Sequence, residues 1–520
     1  MSLTRDLGTV TSATLVSRGL ALLRDMGVAG VLGAGALSDA YFAAIQIPNL
    51  FRKLLAEGAL NGALVPAWLR LAAGDEATAR RFAERLFGTM LLLLGGFALL
   101  CVVFAPAAIH LVAPGFPAGS ERFADAVTFL RWSVGYVAVA GLAAIAVAIL
   151  NAEGRVAAAA GSIAAFNCIL VGAVLLAVVL GTGTSKASGI LLAVSFALGG
   201  LVQLVLLAAA LRRALRRPRC LRLAWSADIR RFYGRAASAV IAGGVPALTF
   251  IAGTIIASSS ASAVSWLYYA YRLYELPLGI VTIATASVLA PRIAVGVQQS
   301  DDATSSGAQS RAFEIAMGLG LPAAAGFALL ASPIAGVLFE RGAFTAADTA
   351  AVAAAILALA AGLPGHALEK VLAAISYAHE DARAPMLAGL VGLAVSTGAA
   401  LALFPSCGHV GIAAALAGAG WISALVLAAI LLRRRRLRPE RGTAARLAGI
   451  AGAAALMGAV LLLCRQYGPH VQAGLPSTAA QFATLVVLIP LGIAIYVLGL
   501  RLFGVVRIGE LIAGLRGHTH

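Results

Sequence analysis

Apolar stretches about twenty residues long recur from one end of this chain to the other, and that recurrence leaves little choice of architecture. A membrane-spanning helix needs roughly 20 mainly apolar residues. On that rule fourteen helical spans are expected, at 10–32, 39–66, 86–112, 124–151, 156–181, 187–211 and 236–258, then 263–291, 312–338, 347–376, 384–404, 409–432, 444–464 and 478–504. Of the 520 residues 61% are hydrophobic and 12% charged, with a mean hydropathy of +0.94, values that exclude an ordinary soluble protein. The fold class expected is an all-α polytopic membrane protein. Met1 to Gly8 lack the apolar core and small-residue cleavage site of a signal peptide, so the first span is expected to insert directly. Cys101, Cys168, Cys220, Cys407 and Cys464 are scattered, with no CxxC pair, and indicate neither a metal site nor a disulfide framework.

The net charge of +17 takes its meaning from where the cations lie. Arg70, Arg80, Arg81 and Arg85 follow the second span. Arg212, Arg213, Arg216, Arg217, Arg219, Arg222, Arg230, Arg231 and Arg235 follow the sixth, and Arg433 to Arg436, Arg438 and Arg441 follow the twelfth. The turns around Gly33, Ser259 and Ser406 hold no lysine or arginine. Basic residues in short loops favour the cytoplasm, so both termini are expected there. No basic, aromatic-interleaved segment suggests nucleic-acid binding.

An internal register is also legible. Ser38-Asp39-Ala40-Tyr41-Phe42-Ala43 resembles Ser265-Trp266-Leu267-Tyr268-Tyr269-Ala270, and Pro106 with Gly115-Phe116 resembles Pro333 with Gly342-Ala343-Phe344. Both pairs are 227 residues apart. Two matches at one offset point to a duplicated unit of six helices, as in many transporters. The expected organisation is an N-lobe at 1–211, a basic cytoplasmic linker at 212–235, a C-lobe at 236–432, and a helix pair with the C-terminal tail at 433–520.

Charges inside apolar spans single out the candidate site. An arginine at the bilayer centre costs about 2.5 to 3.5 kcal/mol on insertion scales, and such residues face a bundle interior or a watery cavity. The first span carries Arg18, Arg24 and Asp25. The second carries Asp39, Asn49, Arg52, Lys53 and Glu57, with Pro48 as an expected kink, and the eighth carries Arg272 and Glu275 just before Pro277. Arg18, Arg24, Arg52 and Arg272 outnumber Asp25, Asp39 and Glu275, so pairing among themselves leaves cationic excess. Guanidinium forks suit phosphate, and the carboxylates can orient them when the site is empty. The competing structural account makes each arginine one half of an ion pair, Arg24 with Asp25 or Arg272 with Glu275. His110 and His366 stand alone without a second histidine at metal spacing, and no cofactor is expected.

At these residues the sequence resembles the MurJ (MviN) family of the MOP transporter superfamily. The likeness runs through Ser17-Arg18 to Arg24-Asp25, Gly33-Ala34-Gly35 to Asp39-Ala40, Ile47-Pro48-Asn49-Leu50-Phe51-Arg52, Ala56-Glu57-Gly58-Ala59 and Ala113-Pro114-Gly115-Phe116. It continues in Ile149-Leu150-Asn151-Ala152, Ser265-Trp266, Tyr268-Tyr269-Ala270, Arg272-Leu273, Pro277, and Phe339 with Arg341 to Thr345. The sequence departs from the family pattern at Tyr271, where an aspartate is usual, and at Gln46, where a base is common. What the resemblance implies is two six-helix lobes in a MATE-like V, with a last helix pair forming a groove for a polyprenyl tail. It implies a lipid II flippase, with Arg18, Arg24, Arg52, Arg272 and Asp39 in its central cavity. The implied setting is the bacterial inner membrane, and the partners expected are lipid II and membrane lipids, handled by a monomer. The other accounts are a related exporter of another lipid-linked saccharide or of drugs, and a membrane enzyme acting on polyprenyl phosphates. A cation exporter would want an acidic cavity, and such an enzyme a carboxylate cluster or acid/base pair; neither is found.

Overall fold

A computed structural model describes residues 3–56, 59–214, 225–285, 290–298, 302–471 and 477–505, and these are helical with no strand among them. Two compact units divide the chain: Met1–Ser265 with Arg341–Thr345, and Trp266–Glu340 with Ala346–His520. The first unit holds α1 (Leu3–Leu32), α2 (Ala36–Ala56), α3 (Ala59–Gly74), α4 (Glu76–Val103), α5 (Ala105–Val112), α6 (Glu121–Ser133), α7 (Tyr136–Ala152), α8 (Val156–Val179), α9 (Lys186–Ala214) and α10 (Ala227–Ala257). α11 (Ala263–Ala284) begins in the first unit and continues into the second. The second then holds α12 (Ala290–Gln298), α13 (Asp302–Phe339), α14 (Ala346–Ala360), α15 (Leu363–Ala378), α16 (Arg383–Arg433), α17 (Thr443–Val471) and α18 (Ser477–Leu502).

In the first unit α7 is the centre, because it is apolar all round and a helix of that kind must be enclosed. Most residues in the apolar part of α6–α7 are buried, whereas few are in that of α18 in the second unit, so the former is core and the latter a periphery. Around α7 lie α2, α3, α4, α8 and α9. Close approach to α9 depends on Gly200, where a Cβ would lie 2.4 Å from the Tyr136 ring. Tyr136, Phe166 and Phe196 then close a ring cluster with centroids 4.9 to 5.3 Å apart.

Among the described residues eight helices are long and apolar enough to cross a membrane, or nine with α14 and α15, bent by 43°, taken as one. The long α16 covers two expected spans, which meet at Gly408 with φ 56° and ψ −141°. The expected spans 10–32, 39–66, 236–258 and 263–291 each include residues whose side chains lie outside the described ones, so the test does not cover them whole; Gly244–Ala257 is a shorter apolar helix within the third. The expected span 39–66 is divided between α2 and α3, and α2 runs unbroken through Pro48.

Where the units end follows from packing. The first extends past 211 to Ser265 because α10 packs on α2 and α3. It also takes in Arg341–Thr345, where the Ala343 N–H donates to the Gly30 carbonyl at 2.8 Å. Residues 215–224 of the expected linker and 506–520 of the tail lie outside the described residues.

Candidate functional site

Arg24 on α1 is held by Asp25 and Asn167, among others. Its Nε and Nη2 donate to Asp25 Oδ1 at 2.9 and 2.7 Å, and its Nη1 donates to Asn167 Oδ1 of α8 at 3.2 Å. Asn167 Nδ2 in turn donates to the Ile163 carbonyl at 3.1 Å and reaches the Ser17 hydroxyl and carbonyl at 3.4 and 3.5 Å. Asp25 is 2% exposed and Arg24 12%, so this is an ion pair inside packed helices rather than a surface contact. Arg18, on the same helix, is half-buried and makes no hydrogen bond or ion pair among the described residues.

On α2, Asn49 Oδ1 accepts from Arg52 Nε at 3.4 Å, one turn along the same face. Asn49 thus orients the arginine. Gln46 Nε2 donates to the Thr254 hydroxyl of α10, so the position where a base is common in the resembled family ties two helices of the first unit together. Lys53 is half-buried, and Glu57 lies outside the described residues.

Asp39 stands at the start of α2. It is fully buried, and both carboxylate oxygens accept from groups of its own unit. Oδ1 accepts from the Ser265 N–H at 2.8 Å and from the Ser265 hydroxyl, while Oδ2 accepts from the Ser262 N–H at 2.8 Å and from Arg122 Nη2 at 2.5 Å. Arg122 Nη2 also donates to the Ser260 carbonyl at 3.2 Å, and its guanidinium lies 3.9 Å from the centre of the Phe116 ring. Ser38 Oγ lies 2.9 Å from Ser265 Oγ, so the two serines of the repeated motif meet across their offset of 227 residues. Asp39 therefore fastens the start of α2 to the segment leading into α11.

In the second unit Arg272 Nη1 donates to Glu275 Oε2 at 3.2 Å, with both side chains about a quarter exposed. Close by in sequence, the Tyr274 hydroxyl lies 2.7 Å from His366 Nδ1, so His366 is anchored structurally. Trp266 Nε1 donates to Asp348 Oδ1 at 3.0 Å, and its ring stands 4.8 Å from that of His409. No group of three or more His, Cys, Asp or Glu suited to a metal occurs among the described residues.

The structure thus brings Arg24 to Asp25 and Asn167, Arg52 to Asn49, and Arg272 to Glu275. Sequence reasoning missed Asn167 and Arg122. Arg122 lies in the connection between the third and fourth expected spans, beside Glu121. Lys186 in another such connection is likewise neutralised, by Asp125 at 2.8 Å.

Comparisons with known proteins agree on one family. A family model described as lipid II flippase MurJ matches residues 28–475. A protein of Rhizobium meliloti named probable lipid II flippase MurJ is 36% identical over 505 residues, covering 95% of this chain and 93% of its own. One of Burkholderia cenocepacia named lipid II flippase MurJ is 28% identical over 481 residues, with coverages of 89% and 90%. Among solved structures, a lipid II flippase MurJ in an inward closed conformation superposes with a TM-score of 0.79 at 20% identity, over 95% of this chain and 98% of that one. An inward-facing multidrug resistance MATE family transporter of the MOP superfamily gives a TM-score of 0.66 at 14% identity, over 82% and 97%. At those identities the two structures show a shared fold.

Proposed function

The chain belongs to the lipid II flippase MurJ family, and from that premise we propose that it moves lipid II, a polyprenyl-diphosphate-linked peptidoglycan precursor, across the bacterial inner membrane. Transport runs from the cytoplasmic to the periplasmic leaflet by alternating access, in a monomer with both termini cytoplasmic and with no bond-breaking step. The observation that supports this reading is the state of Arg24: a charged guanidinium held in fixed geometry on an apolar helix. Keeping such a group in a span is expensive, and a planar fork matches a diphosphate. Arg18, Arg52 and Arg272 add charge for the same ligand. Asn49 and Glu275 orient Arg52 and Arg272, and Asp39 acts by fastening helices. The polyprenyl tail lies along α18, which exposes Phe482, Val486, Val487 and Ile493.

Depletion in the native bacterium tests the activity, with lipid II expected to accumulate on the cytoplasmic side. Replacing Arg24 or Arg52 by alanine is expected to abolish complementation of a flippase-deficient strain at normal membrane abundance. Lysine restores it only in part, since it offers a point charge in place of a fork. Full complementation by Arg24→Ala would remove the diphosphate assignment.

A further inference from the structure

We propose that Asn167 is a positioning residue for Arg24 and sets the plane in which its guanidinium meets a diphosphate; this rests on the reading of Arg24 given above. Ser17 and Arg24 are seven residues apart and share one stripe of α1. α8 lies close against that stripe, since a Cβ at Gly27 would fall 2.4 Å from Val174 Cγ1. From α8, Asn167 reaches both residues and is itself 4% exposed.

The orientation of the carboxamide follows from its neighbours. Arg24 has only donors, so it must meet Oδ1, while the Ile163 and Ser17 carbonyls have only acceptors and must meet Nδ2. Each contact agrees with the others, so the amide has one way to sit. Asp25 Oδ1 accepts from Nε and Nη2 along one edge of the guanidinium. The Nη1 contact to Asn167 supplies a point on the other side and fixes the plane. A neutral amide does this without adding charge. A carboxylate in its place would cancel part of the positive charge that favours a diphosphate.

The polar contact is not a demand of the helix packing itself. At the 227-residue offset the corresponding positions are Gly244, Ile251 and Ala394, none of them polar in side chain.

The test is a double-mutant cycle on the full-length protein in liposomes, with lipid II as the probe. Asn167→Leu is expected to raise the lipid II concentration for half-maximal transport ~10-fold or more, with a smaller effect on the maximal rate. The double variant Arg24→Lys with Asn167→Leu, built on the partly active lysine variant, is expected to be no worse than Arg24→Lys alone. Where Asn167→Leu reaches the membrane poorly, Asn167→Asp, equal in size, takes its place with the same expected loss of affinity. Loss in Arg24→Ala with unchanged affinity in the Asn167 variant overturns this inference alone, as does an independent, additive loss in the double variant. Full transport by Arg24→Ala overturns the diphosphate reading and this inference with it.

Discussion

In the first unit Asp39 at the start of α2 accepts from Arg122 at the start of α6; in the second, Trp266 at the start of α11 donates to Asp348 at the start of α14. Residue 266 is 227 after 39, and residue 348 is 227 after Glu121, the neighbour of Arg122. The two ties therefore occupy matching places in the chain with their polarity reversed. In one the earlier helix carries the acid, in the other the later helix does. What the duplicated pattern preserves is a link between two helix starts. Its chemistry is free to change, and the change matters energetically. Arg122 and Asp39 are two charges 13% and 0% exposed, so removal of either strands the other, whereas Trp266 is neutral and its loss leaves Asp348 among its remaining contacts.

The largest effect expected is at Arg122. Arg122→Leu leaves a buried carboxylate facing only neutral donors, at a cost of about 3–5 kcal/mol. A thermal melt of the purified protein should show it, and the double variant with Asp39→Leu should recover much of the loss, because replacing both members of a buried pair is often close to neutral. A cost at Arg122 no greater than that of Trp266→Phe would erase the distinction between the two ties.

Next come the glycines at the same offset. Gly342 has φ +56°, and a Cβ there would meet the Gly30 carbonyl at 2.2 Å; at Gly115 it would meet the Ser259 nitrogen at 2.3 Å. Both contacts lie in the first unit. Gly115→Ala suffers the clash alone, while Gly342→Ala adds a left-handed backbone that side chains resist. Losses of roughly 2–3 kcal/mol are expected, larger at Gly342. Equal melting temperatures for the two variants would show that the backbone angle contributes nothing. Trp266→Phe, which keeps the ring and loses one donor to a carboxylate, should cost about 1.5 kcal/mol in the same melt.

Much of this was legible in the chain. Helical class followed from span length, and the 227-residue register from two short motifs, one of which returns as the hydrogen bond between Ser38 and Ser265. Arg24, Arg52 and Arg272 were marked by charge in apolar surroundings, and the pairing of Arg272 with Glu275 by their spacing on one helix. Asn167 and Arg122 were not, since their partners lie 143 and 83 residues away and no periodicity reports contacts between distant helices. Asp39 illustrates the limit. Its type and place marked it as important, yet whether a buried acid meets a ligand or a neighbouring helix depends on donors such as the Ser262 and Ser265 N–H groups, which every residue but proline carries. The lobe boundary was set by the basic run, while α10 is held to the first unit by packing that no charge pattern records.

The smallest effect is expected at Asp75, which isolates what burial adds at Asp39. Asp75 caps the N-terminus of α4 in the connection between the second and third expected spans, and it accepts from two backbone N–H groups, Ala77 and Thr78, and one hydroxyl, that of Thr78. Asp39 likewise accepts from two backbone N–H groups and one hydroxyl. Each also has an arginine, but Arg81 stands 3.6 Å from Asp75 with both side chains more than half exposed. The Thr78 hydroxyl, then the Ala77 N–H, hold the Asp75 carboxyl below its ordinary range. A depressed value in the folded state means that the stabilisation is present above the unfolded carboxylate pKa of about 3.9 and is lost as pH falls through the lower folded value. The melting difference between wild type and Asp75→Ala should thus be small and constant from neutral pH down to about pH 5, then shrink below about pH 4. Asp75→Asn, which still caps, should lose that pH dependence. If Asp75→Ala at neutral pH destabilised the protein as much as Asp39→Ala, the shared donors alone would account for both carboxylates, and the contrast between a buried tie and an exposed one would fail.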